Sequence, residues 1–528
     1  MKKQIVSALL FLMAMVPAVA QITLTRSMQE ALDKLVRAEV AIQQLYVDTV
    51  NAGKLTDEAI RSMLATLDPH SSYTTAEETR KMSEPLNGNF EGIGVQFNIL
   101  DDTLVVNQTV PKGPSEKVGI LAGDRIISVN DTTLAGVKMD RADIMKKLRG
   151  PKGTIANLKV VRRGVKEVLS FRVIRDKIPL HTVDAAYMIR PGVGFIRLSS
   201  FGMTSGTEVR DAIVKLKGEG MQSLILDLEE NGGGYMQAAV NIASEFLQQN
   251  DMIVYTDGRS VPHQEMRSTG GGQFLDGKLI VLVNDYSASA AEIVAGAIQD
   301  QDRGFVVGRR TFGKGLVQRP IEFPDGSMIR LTVSHYYTPS GRCIQKPYEK
   351  GKKRQYEEDL MNRFKGGEMM HVDSIHFADS LKFKTLRQGR TVYGGGGIMP
   401  DYFVPLDTTV YTNLYRQLNL KSITINAHMK YVDAHRKALK KRYKKFDQFN
   451  AEYQVPQEEI DSVFSAAARM GVTPKDEVEK EQTLPKLRLV LKALVARDLW
   501  DMSEYFAIIN EDSPTVHKAL ELIANKPE

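Results

Sequence analysis

Cysteine is all but missing from this 528-residue chain. Cys343 stands alone, which excludes an intramolecular disulfide and a cysteine-built zinc site. Charge of one sign is scarcely in excess: 70 basic against 64 acidic residues leave +6, and setting aside Lys2 and Lys3 in a leader segment leaves +4. That is too small an excess to argue for nucleic acid or an anionic membrane as partner. After the first 20 residues no run is long and apolar enough to span a bilayer, and no repeat or low-complexity tract stands out. What remains is ordinary globular material, 42% hydrophobic and 25% charged, which excludes wholesale disorder and fibrous repeats. The length calls for about three or four domains, since a single core stops growing well below it.

Lys2-Lys3, the apolar run Ile5 to Val16, and Pro17-Ala18-Val19-Ala20 have the order of a secretory signal peptide. The apolar run falls short of the ~20 residues that a membrane anchor needs. Cleavage after Ala20 and export without a stable membrane insertion are expected, the bacterial periplasm being the compartment that fits best. No cysteine follows the cut that could carry a lipid.

Residues 21–86 read as helical. Met28, Ala31, Leu32, Leu35 and Val36 share one face, and Thr56 is the expected cap of a second helix running to about Leu67. Asp68-Pro69-His70-Ser71-Ser72-Tyr73 breaks it. Residues 87–177 change to short strands, with a turn at Asp101-Asp102 and two short helices. From 178 to 406 strands and helices alternate around buried runs such as Ser223 to Leu228 and Lys278 to Asn284, which indicates a mixed α/β core with both sheet faces covered. A charged stretch at 349–388 reads as a surface excursion from it. Residues 407–528 read as helical. The basic cluster from His435 to Lys445 reads as a solvated helix face rather than a nucleic-acid patch, because few aromatics interleave with it. Leu489 to Trp500 and Glu504 to Ile509 are apolar enough to pack on the core or on a second copy, so the helical tail admits a homodimer.

The 87–177 segment resembles a PDZ domain in the circularly permuted form found in bacterial proteases. The resemblance rests on Gly92-Ile93-Gly94-Val95, Ala122-Gly123-Asp124 and Leu148-Arg149-Gly150. It implies that the Gly92, Ile93, Gly94 and Val95 loop captures a chain-terminal carboxylate while the adjoining strand edge pairs with the last residues of a polypeptide. A small structural barrel whose glycines only make turns is the plainer alternative.

Three stretches carry chemistry. In Asn284-Asp285-Tyr286-Ser287-Ala288-Ser289-Ala290-Ala291-Glu292 a buried strand ends and a helix begins. Ser289 and Glu292 have capping-box spacing, so Ser289 is either an N-cap or a nucleophile displayed at the helix start beside the Ala290 N–H. Phe312-Gly313-Lys314-Gly315 sets a lysine between glycines. It is a poor phosphate loop, since Leu316 follows where Ser or Thr is needed. As a general base Lys314 must be buried so that its ~10.4 reference pKa falls, and Gln318 could orient the amine without restoring its charge. Asp227-Leu228-Glu229-Glu230-Asn231-Gly232-Gly233-Gly234 forms a strand, glycine turn and helix start that gather N–H groups as an oxyanion hole needs. It fails as a dinucleotide fingerprint because Gln237 holds the last glycine position.

Together these stretches resemble the C-terminal processing peptidases (tail-specific proteases, family S41), a Ser/Lys family. Ser287-Ala288-Ser289-Ala290-Ala291-Glu292 matches its serine motif and Phe312-Gly313-Lys314-Gly315 its lysine motif, with Lys314 following Ser289 by 25 positions. Asp68-Pro69-His70-Ser71 and Tyr337-Thr338-Pro339-Ser340-Gly341 extend the match. Ala291, Glu229 and Gly232 depart from the family's usual serine, arginine and proline. The resemblance implies a crotonase-like α/β peptidase core with an inserted PDZ domain. It further implies Ser289 as nucleophile, Lys314 as base oriented by Gln318, and an oxyanion hole of Ala290 with Gly233 or Gly234. No metal or cofactor is called for. A catalytically silent PDZ scaffold, or a Ser-His hydrolase using His263 or His335, are the competing functions.

Overall fold

The computed structural model describes residues 25–525, and the expected signal peptide lies outside them. The chain forms two compact units, one ending at Thr66 and one beginning at Leu67. In the first, helices Arg26–Leu45 and Ala52–Ala65 are capped by Thr25 and Asn51, whose side chains accept from Met28 N and Lys54 N. Thr56 is therefore not a cap. It lies inside the second helix and donates back to the Ala52 carbonyl at 3.0 Å.

The second unit contains the mixed α/β core. Its six-stranded sheet runs Val183–Arg190, Val193–Leu198, Ser223–Asp227, Lys278–Val283, Phe305–Gly308 and Tyr402–Phe403 in spatial order. The first pairing is antiparallel and the other four are parallel. These strands are apolar nearly throughout because both faces are covered. Ile196, Leu226, Val281 and Val283 face helices Ser205–Gly218, Met236–Ser244 and Ala290–Asp300. Phe195, Ile225, Ile280 and Leu282 face the other way, onto Val516 and Ala519 of helix Pro514–Ala524. The tail helices thus supply the second cover of the sheet.

A second, antiparallel sheet stands beside it. Met328–Tyr337 pairs with Leu316–Glu322, Met252–Asp257 and Ser72–Thr74. The strand at 72–74 interrupts the stretch expected to be helical to about residue 86. It is a strand because Asp68 and Ser71 fasten this segment to Thr332, a contact that no local pattern announces.

The small β unit hangs on a two-stranded stem, Asn89–Gly92 with Asp176–Pro179, where the chain leaves and re-enters the core. Its main sheet runs Val95–Leu100, Thr103–Thr109, Arg125–Val129, Ile155–Val161 and Leu169–Ile174, so Val95–Leu100 is an edge strand. Asp101 and Asp102, at φ 47° and 55°, make the expected tight hairpin turn. Ile93, Leu104, Ile126, Leu158 and Val160 are in its core.

The 349–388 excursion is not a loose surface segment. Tyr356 and Arg363 are buried, and Arg363 donates to the Thr311 and Arg310 carbonyls at 3.0 and 2.7 Å, bracing the lysine loop. The helices after residue 407 have a core of their own around Leu418, Phe449, Val463, Leu487 and Leu491.

Candidate active site

Ser289 stands one residue before helix Ala290–Asp300, with φ 56° and ψ −113°. A β-carbon makes that conformation costly, on the order of 1–3 kcal/mol, and such strain concentrates where a side chain must be displayed. The flanking turn is held from below. Ser287 Oγ donates to Leu228 O at 2.7 Å, and Ala288 N donates to Asn231 O at 2.9 Å. The capping-box half of the expectation is also present, since Ser289 N donates to Glu292 Oε2 at 2.8 Å.

Glu292 does more than cap. Its side chain is fully buried, and Oε2 also accepts from Lys314 N at 2.9 Å, while Oε1 accepts from Gly313 N at 2.7 Å and Thr311 Oγ1 at 2.5 Å. One carboxylate therefore joins the Ser289 backbone to the lysine loop. Burial pushes its pKa up to about 7, and the four donors oppose that rise by favouring the charged form. Tyr336, buried on the adjoining sheet, makes a second link: its hydroxyl is 3.1 Å from Ser289 O and 2.5 Å from Lys314 O. Neither link stood out in the sequence. Glu292 looked like a cap partner, and Tyr336 carries no local signal at all.

Lys314 lies between Gly313, at φ 87°, and Gly315, where a β-carbon would come within 2.7 Å of Gln345 N. Burial, and then the positive charge of Arg330, bring its amine down to about 8; Glu292 and Asp68 pull weakly the other way. His70, of the Asp68-Pro69-His70-Ser71 motif, is pushed down to about 4 by burial and then by Lys314, so it stays neutral. Its Nε2 lies 3.0 Å from the Tyr356 hydroxyl. Gln318 donates through Nε2 to Thr332 Oγ1 at 3.3 Å, and Thr332 donates on to Asp68 at 2.9 Å. The contact the structure gives Gln318 is thus to Thr332.

The glycine turn meets the serine turn. A β-carbon on Gly233 would lie 2.8 Å from Ala288 O and Ser289 Cβ and 3.0 Å from Ala290 N, so only glycine permits this approach. The Gly233 N–H donates to Asn231 Oδ1 at 2.9 Å, and no partner for the Gly234 N–H is found among the described residues. His263 lies exposed, 3.6 Å from Glu265, and His335 sits in strand Met328–Tyr337 opposite Leu316.

In the small β unit, Gly92 ends one strand and Val95 starts the next, with Gly94 at φ 74° between them. The Ile93 carbonyl is fixed by Ser115 N and Oγ, at 3.1 and 2.6 Å. Ile93, Gly94, Val95, Phe97, Met145 and Leu148 line a cavity of about 480 Å³.

Known families and relatives match several segments of the chain. A model described as peptidase family S41 matches residues 192–353, and a PDZ-domain model matches 105–162. A model of the activating protease CtpB N-terminal domain matches 15–79, and a family of unknown function matches 414–501. Carboxy-terminal processing protease CtpB of Bacillus subtilis is 35% identical over 340 residues, covering 63% of this chain and 69% of the relative. A carboxy-terminal-processing protease of Bartonella bacilliformis is 34% identical over 343 residues, covering 63% and 78%. Among solved structures, a photosystem II D1 C-terminal processing protease is 28% identical over 59% of this chain and 89% of its own, with a TM-score of 0.34. The chain is a serine peptidase with an α/β core and a PDZ domain. It belongs to peptidase family S41, among the carboxy-terminal processing proteases. No helix among the described residues is long and apolar enough to cross a membrane.

Proposed function

We propose that this protein is an exported endopeptidase that captures polypeptide C-termini in the Gly92–Val95 groove and cleaves them through a Ser289/Lys314 acyl-enzyme. Neutral Lys314 removes the Ser289 Oγ proton as Oγ attacks the scissile carbonyl. The oxyanion rests on the N–H groups of Ala290 and of Gly234, because the Gly233 N–H is already taken by Asn231. Lys314 then passes its proton to the departing amine. Water, deprotonated by the Lys314 amine that is again neutral, releases the new C-terminus. Gln318, with its Nε2 on Thr332, keeps its amide oxygen to orient the amine. The observation that carries this proposal is the Glu292 carboxylate, which binds the Ser289 and Lys314 N–H groups with one oxygen.

The test uses an unfolded polypeptide with a free apolar C-terminus and the purified full chain. Ser289→Ala and Lys314→Ala should each abolish cleavage while tail binding persists. Cleavage by Lys314→Ala would overturn the base assignment, and cleavage by Ser289→Ala the mechanism as a whole.

A further inference from the structure

The groove beside strand Val95–Leu100 is not walled by the small β unit alone. Its far side is lined by Ile425, Arg497, Asp498 and Met502 from three helices of the C-terminal region, Ile423–Arg442, Glu477–Leu499 and Met502–Ile509. Those helices are fastened to the β unit by charge and by packing. Asp433 pairs with Arg125 at 2.7 Å, its carbonyl accepts from Arg163 at 2.9 Å, and Lys430 pairs with Asp101 at 2.8 Å. Asn98, on the edge strand itself, reaches the Met429 sulfur at 2.9 Å.

The far wall is also rigid. Asp498 Oδ2 meets the buried His428 Nε2 at 3.1 Å, and His428 Nδ1 meets Glu459 at 3.0 Å on its other side. Arg436 donates to the Asp498 carbonyl at 2.7 Å. Arg497 turns Nε and Nη2 to Asp498 Oδ1, at 3.1 and 3.0 Å, and this ion pair fixes the guanidinium in the groove wall. Three guanidinium groups, Arg141, Arg149 and Arg497, line the groove against one carboxylate, Asp498. The lining is cationic even though the chain as a whole is close to neutral.

A peptide added to the free edge of Val95–Leu100 turns successive side chains to opposite sides. One set enters the apolar pocket of Phe97, Met145 and Leu148. The other set, which begins at the residue before last, faces across the groove, where this chain places Arg497 instead of solvent. We propose that the tail-binding groove is a composite of the PDZ domain and the C-terminal helices. In it Arg497 selects tails with an acidic side chain at the residue before last, next to an apolar terminal residue. The proposal rests on the capture of C-termini argued above and adds to it the class of tail.

The test is binding to the full chain carrying Ser289→Ala, read by fluorescence anisotropy with decapeptides ending in valine. The residue before last is Glu, Ala or Lys, and each peptide is used with a free or an amidated terminus. The Glu peptide should bind about tenfold more tightly than the Lys peptide. Arg497→Gln should erase that ratio, and Arg497→Glu should invert it, the gain for the Lys peptide showing that the variant is folded. An unchanged Glu-to-Lys ratio in Arg497→Gln, with free tails still preferred over amidated ones, overturns the role of Arg497 alone. Equal binding of free and amidated tails by the Ser289→Ala parent overturns capture of C-termini, and this inference with it.

Discussion

The proposed role of Lys314 as base requires an uncharged amine, and its surroundings favour that form. Burial is the larger cause of the drop to about 8, and the nearby Arg330 adds to it. A base of that pKa is mostly protonated at pH 6 and mostly free at pH 9. For the Ser289/Lys314 mechanism kcat/KM should therefore climb with pH and level off above about 8. A pH–rate profile on a peptide without other titrating groups checks this; a flat or falling profile from 6 to 9 contradicts it. The same depression affects stability. Between about 8 and 10.5 the unfolded chain holds the lysine proton that the folded chain has released, so this group's contribution to stability grows as pH rises through that window.

At the scale of elements, the site is three turns held by one carboxylate. The serine turn, the lysine loop and the first turn of helix Ala290–Asp300 all converge on Glu292. Every one of its four partners is a donor, so Glu292→Gln brings an amide NH2 against N–H groups that need an acceptor. Leaving buried donors unpaired costs on the order of 1–3 kcal/mol each. It also shifts Ser289 relative to Lys314, and a displacement of about 1 Å can cost roughly a hundredfold in rate. Glu292→Gln should thus lower kcat by about that factor while the affinity for a free tail stays as it was. Steady-state kinetics beside anisotropy binding will separate the two, and an unchanged kcat would reduce Glu292 to an ordinary helix cap.

At the scale of the molecule, the groove and the serine are remote elements of one chain, so under the proposed function a captured tail acts as a tether. Amidating the C-terminus of a cleavable polypeptide should raise KM about tenfold and leave kcat nearly unaltered, since tail binding is the same in the ground and transition states. A fall in kcat instead would mean that the tail switches the catalytic site rather than holding the substrate. The helices after residue 407 take part at this scale too. They cover one face of the core sheet with Val516 and Ala519, and they wall the groove with Arg497 and Met502.

Much of this organisation was legible in the amino-acid order. Apolar runs such as Ser223 to Asp227 announced strands covered on both faces, and Asp101-Asp102 announced a hairpin. The serine and lysine motifs, with Lys314 following Ser289 by 25 positions, resembled those of the C-terminal processing peptidases, and it was this resemblance that implied one site. These features are local, set by side-chain periodicity, backbone sterics and motif spacing. Thr56 misled because its capping chemistry suits a helix interior equally well when the hydroxyl bonds back to the preceding turn. The remaining features were decided by the tertiary structure alone. Strand Ser72–Thr74 exists because Thr332, some 260 positions on, donates to Asp68 and Ser71. Glu292 becomes a junction, Tyr356 and Arg363 a brace, and Arg497 a wall of a distant groove because folding carries them next to partners far along the chain. Burial then gives each contact its strength, since water no longer competes for the hydrogen bonds or screens the charges.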